Sequence, residues 1–172
     1  PASTISTLPF SQVVYLLSIY HMERLRVQSG SLDYVFDYLQ DMAILDETVL
    51  YNCMTAVTDK IFRNWIDNIE YLLPSDPHKY GRVIETQVIE LFKFYCHRFE
   101  TVRMLSMKFI SQITNKFLNI YWSAGCVKYL LNLANELYKI SKLGMQIETV
   151  YMTLPDSNIK IQMADSHMER KL

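Results

Sequence analysis

The sequence predicts an all-α fold, and three observations carry that prediction. First, the run from Thr48 to Leu73 contains neither Pro nor Gly. Wound as a helix, it sorts Leu50, Met54, Val57, Ile61, Phe62, Trp65, Ile69, Leu72 and Leu73 onto one broad face, and Asn52, Asp59, Lys60, Arg63, Asn64 and Asp67 onto the other. At about 1.5 Å per residue this helix is about 37 Å long, so its apolar face needs flanking helices to cover it. Second, only four Gly and five Pro occur in 172 residues, too few tight turns for a many-stranded sheet. Third, apolar residues make up 50% of the chain, with 12 Tyr, 8 Phe and 9 Met, which excludes intrinsic disorder and is enough for a real core.

The other elements are taken in chain order. Residues 1–8 are small and polar, a frayed lead-in, and Pro9 belongs in the first turn of the helix after it. That first helix spans about 10–27, with Val13, Leu16, Leu17, Tyr20 and Leu25 at helical spacing, and Gln28-Ser29-Gly30 ends it. Ser31 is a candidate N-cap for a second helix over 32–45, whose stripe is Leu32, Val35, Phe36, Leu39 and Ala43. Asp46 or Thr48 caps the long helix over 49–73. The stretch 74–81, PSDPHKYG, reads as a linker. Further helices cover 82–97 (Ile84, Val88, Leu91, Phe92, Tyr95) and 100–118 (Val102, Leu105, Phe109, Ile113, Phe117). Another covers 124–142, started by Ser123, striped by Val127, Leu130, Leu131, Ala134, Leu137 and Tyr138, and closed by Gly144.

After Gly144 the texture changes. Residues 149–163 read as a short extended or irregular segment, with a turn at Pro155-Asp156-Ser157-Asn158 and alternation from Ile159 to Met163. Ser166 and Glu169 then form a capping box that opens a helix, and only three residues come after Glu169. A helix start with almost no helix behind it predicts a segment of a longer polypeptide. Helices joined pairwise by short links fit a solenoid of hairpins as well as a closed bundle, and no strict repeat period chooses between them.

Residues with chemical potential form no catalytic or metal pattern. Glycine stands only at 30, 81, 125 and 144, so neither a phosphate-binding loop nor a dinucleotide fingerprint can be written. His21, His78, His97 and His167 lack a second ligand at a metal-binding interval. The tetrapeptide His-Met-Glu-Arg occurs at 21–24 and again at 167–170, but its flanks differ, which predicts a coincidence on two helix surfaces. Asp37 and Asp41 sit at i, i+4 as a solvated pair. Trp65 and Trp122 lie within apolar stripes and are expected in the core. Lys93, Arg98, Arg103, Lys108 and Lys116 read as a solvated face, because no glycine-rich turn accompanies them. Cys53, Cys96 and Cys126 are odd in number and widely spaced, so buried free thiols in a reducing compartment are expected. No catalytic, cofactor-binding or metal residue is therefore assigned. A net charge of −1 gives no reason to expect nucleic acid, and no apolar run approaches the about 20 residues of a spanning helix.

Five ordered strings add a resemblance: YLLSIYHMERLRV (15–27), VFDYLQDMAI (35–44), CMTAVTDKIF (53–62), FISQITNKF with YWSAGCVKYLLNLANEL (109–137), and LPDSNIKIQMADSHMER (154–170). In this order they resemble the N-terminal helical region of type III alpha phosphatidylinositol 4-kinases. The stretch 74–81 has no clear counterpart there, and Met163-Ala164-Asp165 stands where the family tends to have a proline before the acid. The resemblance implies an α-solenoid of antiparallel helical hairpins that precedes a distant catalytic domain. That domain transfers the ATP γ-phosphate to the 4-position of phosphatidylinositol, so ATP and a divalent metal are expected there and not in this segment. It also implies helical scaffold proteins or self-association as partners, and a cytoplasmic chain held at the plasma membrane through its complex, without direct membrane insertion. A helical-repeat adaptor with no enzyme attached is the alternative.

Overall fold

The computed structural model describes residues 8–32, 34–142, 151–155 and 160–162. Among the described residues the fold is all-α apart from one two-stranded ribbon. The chain divides into two compact units, residues 1–80 and 81–172. Among the described residues no helix is long and apolar enough to cross a membrane.

In the first unit, α1 (Phe10–Gln28) packs along α3 (Thr48–Leu72). The carbonyl of Pro9 accepts the amides of Gln12 and Val13 at 3.0 and 3.2 Å, starting α1 without a side-chain cap. At the other end Gly30 takes φ 92°, a conformation that costs a glycine nothing and that lets the amides of Gly30 and Ser31 close onto Val27 and Arg26. Two side chains of α3 grip this turn and a third holds the middle of α1. Trp65 Nε1 donates to the Gly30 carbonyl at 2.9 Å, Asn68 Nδ2 to the Val27 carbonyl at 3.1 Å, and Asn64 Nδ2 to the Tyr20 hydroxyl at 3.4 Å.

The buried line of α1 differs from the sequence expectation. It is Leu16, Ile19, Glu23 and Val27, while Leu17 and Leu25 are exposed. The chosen face includes a charged residue because Arg26 and Tyr38 stand ready to bond its carboxylate. On α3 the buried set is Leu50, Met54, Thr58, Ile61, Phe62, Trp65, Ile66 and Ile69. Val57, Leu72 and Leu73, expected on that face, are half-buried.

The expected continuous helix over 32–45 is broken. A 3-10 turn at Asp37–Gln40 leads to Asp41 in an extended conformation with ψ 120°, and then to α2 (Met42–Leu45). The cause is Asp41 itself, whose carboxylate accepts the Ala43 amide at 3.0 Å and caps α2, so Asp37 and Asp41 do not share a helix face. Ala43 is exposed and Ile44 is buried in its stead. Neither Asp46 nor Thr48 caps α3; its N-cap is Glu47, which makes no capping bond and instead accepts Gln12 Nε2 at 2.6 Å.

The expected linker over 74–81 is shorter, because α4 (Pro77–Lys93) already starts at Pro77. Asp76 Oδ1 accepts the Lys79 amide at 2.9 Å as an N-cap, and Pro77 occupies the first helical position, where its missing N–H has no consequence. A 3-10 turn at Phe94–Cys96 ends this stretch, where the sequence suggested α-helix to residue 97.

The second unit packs α4 with α5 (Glu100–Lys116) and α6 (Ala124–Ser141). Ser106 Oγ of α5 donates at 2.7 Å to the Leu91 carbonyl in the last turn of α4, and Glu85 of α4 accepts the Gly125 amide of α6 at 2.9 Å. A Cβ on Gly125 would lie 2.2 Å from Glu85 Oε1, so glycine lets this carboxylate reach the start of α6. Ser123 caps α6 through the Cys126 amide at 3.3 Å, as its position in the sequence suggests. The rings of Phe92 and Tyr129 stack at 6.3 Å. Strand β1 (Tyr151–Thr153) pairs antiparallel with β2 (Lys160–Gln162), Met152 opposite Ile161, and lies against α6 with Met152, Leu154 and Pro155 buried. Gly144, the turn residues 156–158 and the capping box at Ser166 and Glu169 lie outside the described residues.

Candidate functional site

Three places in the two units hold polar or apolar groups that packing alone does not demand. The first is the buried end of α1. Glu23 is fully buried; its Oε1 pairs with Arg26 and accepts the Tyr38 hydroxyl at 2.7 Å, while Oε2 has no hydrogen-bond partner. Burial, and then the bond to Glu23, push the Tyr38 hydroxyl up to about 12, and burial together with the Glu23 charge raises Asp37. The Arg26 guanidinium stacks 4.5 Å from the centre of the Tyr34 ring. Each group restrains the next, which holds the 34–40 segment against α1. It is a structural arrangement, with the Glu23 carboxylate and the Tyr38 hydroxyl bonded to each other. The Glu in the first His-Met-Glu-Arg is thus interior and not on a helix surface; the second copy lies outside the described residues.

The second is the corner between α4 and α5. His97 is buried, and its Nδ1 accepts the Phe99 amide at 3.2 Å. Arg103 Nη1 donates to the carbonyls of His97 and Arg98 at 2.7 and 3.0 Å. Burial first, then the charges of Arg98 and Arg103, lower His97 to about 4, so the ring stays neutral near pH 7 and serves as an acceptor. Neighbouring Cys96 is pushed up to about 11 by burial, which removes its thiolate. This chemistry holds a turn and offers no acid or base poised near neutral pH.

The remaining candidates scatter. His21 and His78 are exposed, and among the described residues no three His, Cys, Asp or Glu side chains gather as metal ligands. The cysteines are free; Cys126 is buried and Cys53 and Cys96 are half-buried. Trp65 is in the core, but Trp122 is 83% exposed, because it falls in the 3-10 turn Ile120–Trp122 and on no helix face. Lys93 pairs with Glu90 at 2.6 Å, and Arg103 is engaged by the carbonyls of the α4–α5 corner.

The third place is an open apolar groove of ≈ 530 Å³ in the second unit. Phe92 of α4, Met107 and Ile110 of α5, and Leu130, Leu133 and Leu137 of α6 are among the side chains that line it. It exists because the interior face of α6 is not the stripe expected from the sequence. Cys126, Tyr129 and Leu133 are buried, while Val127, Leu131, Ala134 and Tyr138 are exposed and Leu130 and Leu137 lie between. The apolar arc of α6 is wider than one interior face, so one set faces the core and a second is left over. Such a concave apolar surface can seat a side-chain ridge of another element; it cannot carry out bond-making chemistry. The excess of apolar residues on α6 over what one interior face needs was the sequence signal for it.

One comparison bears on these features. A family model for the PI4-kinase N-terminal region matches residues 2–168.

Proposed function

Because the chain belongs to the PI4-kinase N-terminal region family, we propose that it serves that kinase as a non-catalytic α-solenoid scaffold. In this reading the parent enzyme transfers the ATP γ-phosphate to the 4-position of phosphatidylinositol in a catalytic domain elsewhere. The present segment assembles with helical scaffold proteins or with itself, and the complex sits peripherally at the plasma membrane. The observation that carries the scaffold role is the apolar groove of the second unit, a surface suited to docking a helix. The kinase family favours this reading over a free-standing adaptor with no enzyme attached.

The test uses the full-length kinase with Leu131→Asp in this segment. Leu131 is exposed, so the change should leave the fold intact. Turnover on phosphatidylinositol in detergent micelles should be unchanged, while co-purification with the scaffold protein and recruitment to the plasma membrane should fall. Lost micellar turnover with assembly intact would refute the reading, since the segment would then act on the chemistry.

A further inference from the structure

We infer that the corner between α5 and α6, with Leu118 and Trp122 at its tip, seats on an anionic lipid surface at the depth of the headgroups. The contact is shallow and spans nothing, and neither side chain lines the groove of the scaffold reading. Trp122 is 83% and Leu118 74% exposed, among the most exposed of the large apolar side chains. The turn that carries them is fixed. The amides of Ile120, Trp122 and Ser123 donate to the carbonyls of Phe117, Asn119 and Ile120, each at 3.1 Å, and Phe117 and Ile120 are half-buried. The backbone thereby holds the two outer side chains in solvent, and Trp122 Nε1 has no acceptor among the described residues. An indole with an apolar body and an unbonded N–H suits the zone where acyl chains give way to headgroups and water.

Charge at this end of the second unit selects an anionic surface. No Asp or Glu occurs from 101 to 135, a stretch that carries Arg103, Lys108, Lys116 and Lys128. Lys116 closes α5, and Lys128 is exposed about one turn inside α6. Glu85 marks the start of α6 by its bond to Gly125, and Arg82, exposed on α4, stands about one turn nearer the corner. The described acids of this unit lie elsewhere or are engaged. Glu90 and Glu136 are bonded to Lys93 and Lys139 at 2.6 Å, and Glu100 begins α5 at the opposite end. Glu85 alone among them is near the corner, and it turns Oε1 to the Gly125 amide. Arg82, Lys116 and Lys128 thus stand against Glu85, in a chain whose net charge is −1. A protein partner fits less well. The two tip side chains offer on the order of 300 Å², against about 800 Å² per partner for a stable protein interface. A bilayer requires no matching surface, takes each anchor singly, and gains about fivefold in affinity for each cation at its surface.

The experiment adds vesicles to the intact 172-residue chain and follows binding by co-sedimentation and by tryptophan emission. Only two Trp occur and Trp65 is fully buried in the other unit, so a change in emission reports Trp122. Vesicles of 70:30 phosphatidylcholine and phosphatidylserine should shift that emission to the blue and shield it from acrylamide. Pure phosphatidylcholine should bind about tenfold more weakly or worse, and added salt should weaken binding to the anionic vesicles. Leu118→Asp and Lys128→Glu should each weaken that binding about tenfold. Both positions are exposed, so an unchanged melting temperature confirms that the variants are folded. The inference is overturned if the anionic vesicles do not bind, if pure phosphatidylcholine binds equally well, or if Trp122 stays open to acrylamide in the bound state. It is equally overturned if vesicle binding survives Leu118→Asp. Loss of a concentration-dependent dimer on Leu118→Asp, or of co-purification of the full-length kinase with its scaffold protein, would also overturn it, because the tip would then belong to a second copy or to a protein partner.

Discussion

Removal of the Trp65 side chain should be among the most damaging single changes to the first unit. The indole is fully buried, stacks with Phe62 at 6.0 Å between ring centres, and donates at 2.9 Å to the Gly30 carbonyl. Trp65→Ala combines a large cavity with a stranded carbonyl, so a loss of about 3–5 kcal/mol is expected. Against a total stability of about 5–15 kcal/mol for a protein of this kind, that is a large fraction of the whole. Trp65→Phe keeps much of the ring but not the N–H, and should cost about 1.5–2.5 kcal/mol, mostly the lost bond and the orphaned Gly30 oxygen. The assay is urea denaturation monitored by far-ultraviolet circular dichroism at pH 7.5. In a Trp122→Phe background Trp65 is the sole indole, so its emission reports the same transition from inside the core. A loss below about 0.5 kcal/mol for Trp65→Ala would refute the burial argument. A Trp65→Phe variant as stable as the parent would refute the part assigned to the Gly30 bond.

Three further outcomes rest on specific contacts. His97 is held near 4, below the 6.5 of an unperturbed histidine, so its contribution to stability is complete above pH 6.5 and is lost as pH falls towards 4. Between pH 7.5 and 5.0 urea denaturation should show a loss of about 1–2 kcal/mol that His97→Asn, which keeps an acceptor but does not titrate, largely removes; an unchanged pH profile in His97→Asn would contradict this. Tyr38→Phe takes a hydrogen bond from the buried Glu23 carboxylate and should cost about 1.5–3 kcal/mol in denaturant, whereas Tyr34→Phe, which keeps the ring beneath Arg26, should change stability by less than about 0.5; equal effects would show that the Glu23 bond is not what matters. Gly125→Ala gains about 1 kcal/mol of helix propensity but displaces Glu85 from the Gly125 amide, so alone it should be nearly neutral, and in a Glu85→Ala background clearly stabilising by thermal melting; additive effects would rule out the coupling.

What could be read from the sequence was set by how one-sided each helix is. Along α3, polar residues occupy one face consistently enough that period alone locates the helix and most of its interior, including Trp65. Ser123 and Gly30 are legible for another reason, since a hydroxyl before an apolar run and a glycine after one have few other uses. The interior of α6 is only partly legible, because its apolar arc is wider than one interior face needs and period alone does not say which part of that arc is buried; tertiary packing against Phe92 and Glu85 selects Cys126, Tyr129 and Leu133. Burial of Glu23 was hidden because its partner Tyr38 is 15 residues away and not on the same helix. The break at Asp41 turned on a backbone angle that propensity does not report. Pro77 was different, since Asp76-Pro77 is a start signal that could have been read in place of a linker.

The grip of α3 on α1 is lopsided. Trp65 and Asn68 hold the end of α1 and the Gly30 reversal, and Asn64 holds its middle at Tyr20, whereas near the opposite end a side-chain bond from α1 is the exposed one from Gln12 to Glu47. Backbone amide protons should therefore exchange with solvent deuterium along a gradient. Those near Val13 and Val14 should be replaced through fraying of the first turns, while those from Glu23 to Val27 should wait for the unit to open as a whole. A helix that exchanges in this way is a lever clamped at its Gly30 end, with Phe10 and the first turn on its free arm. A partner that touched that arm would have to immobilise it first, and the entropy lost in doing so would count against every contact it made there.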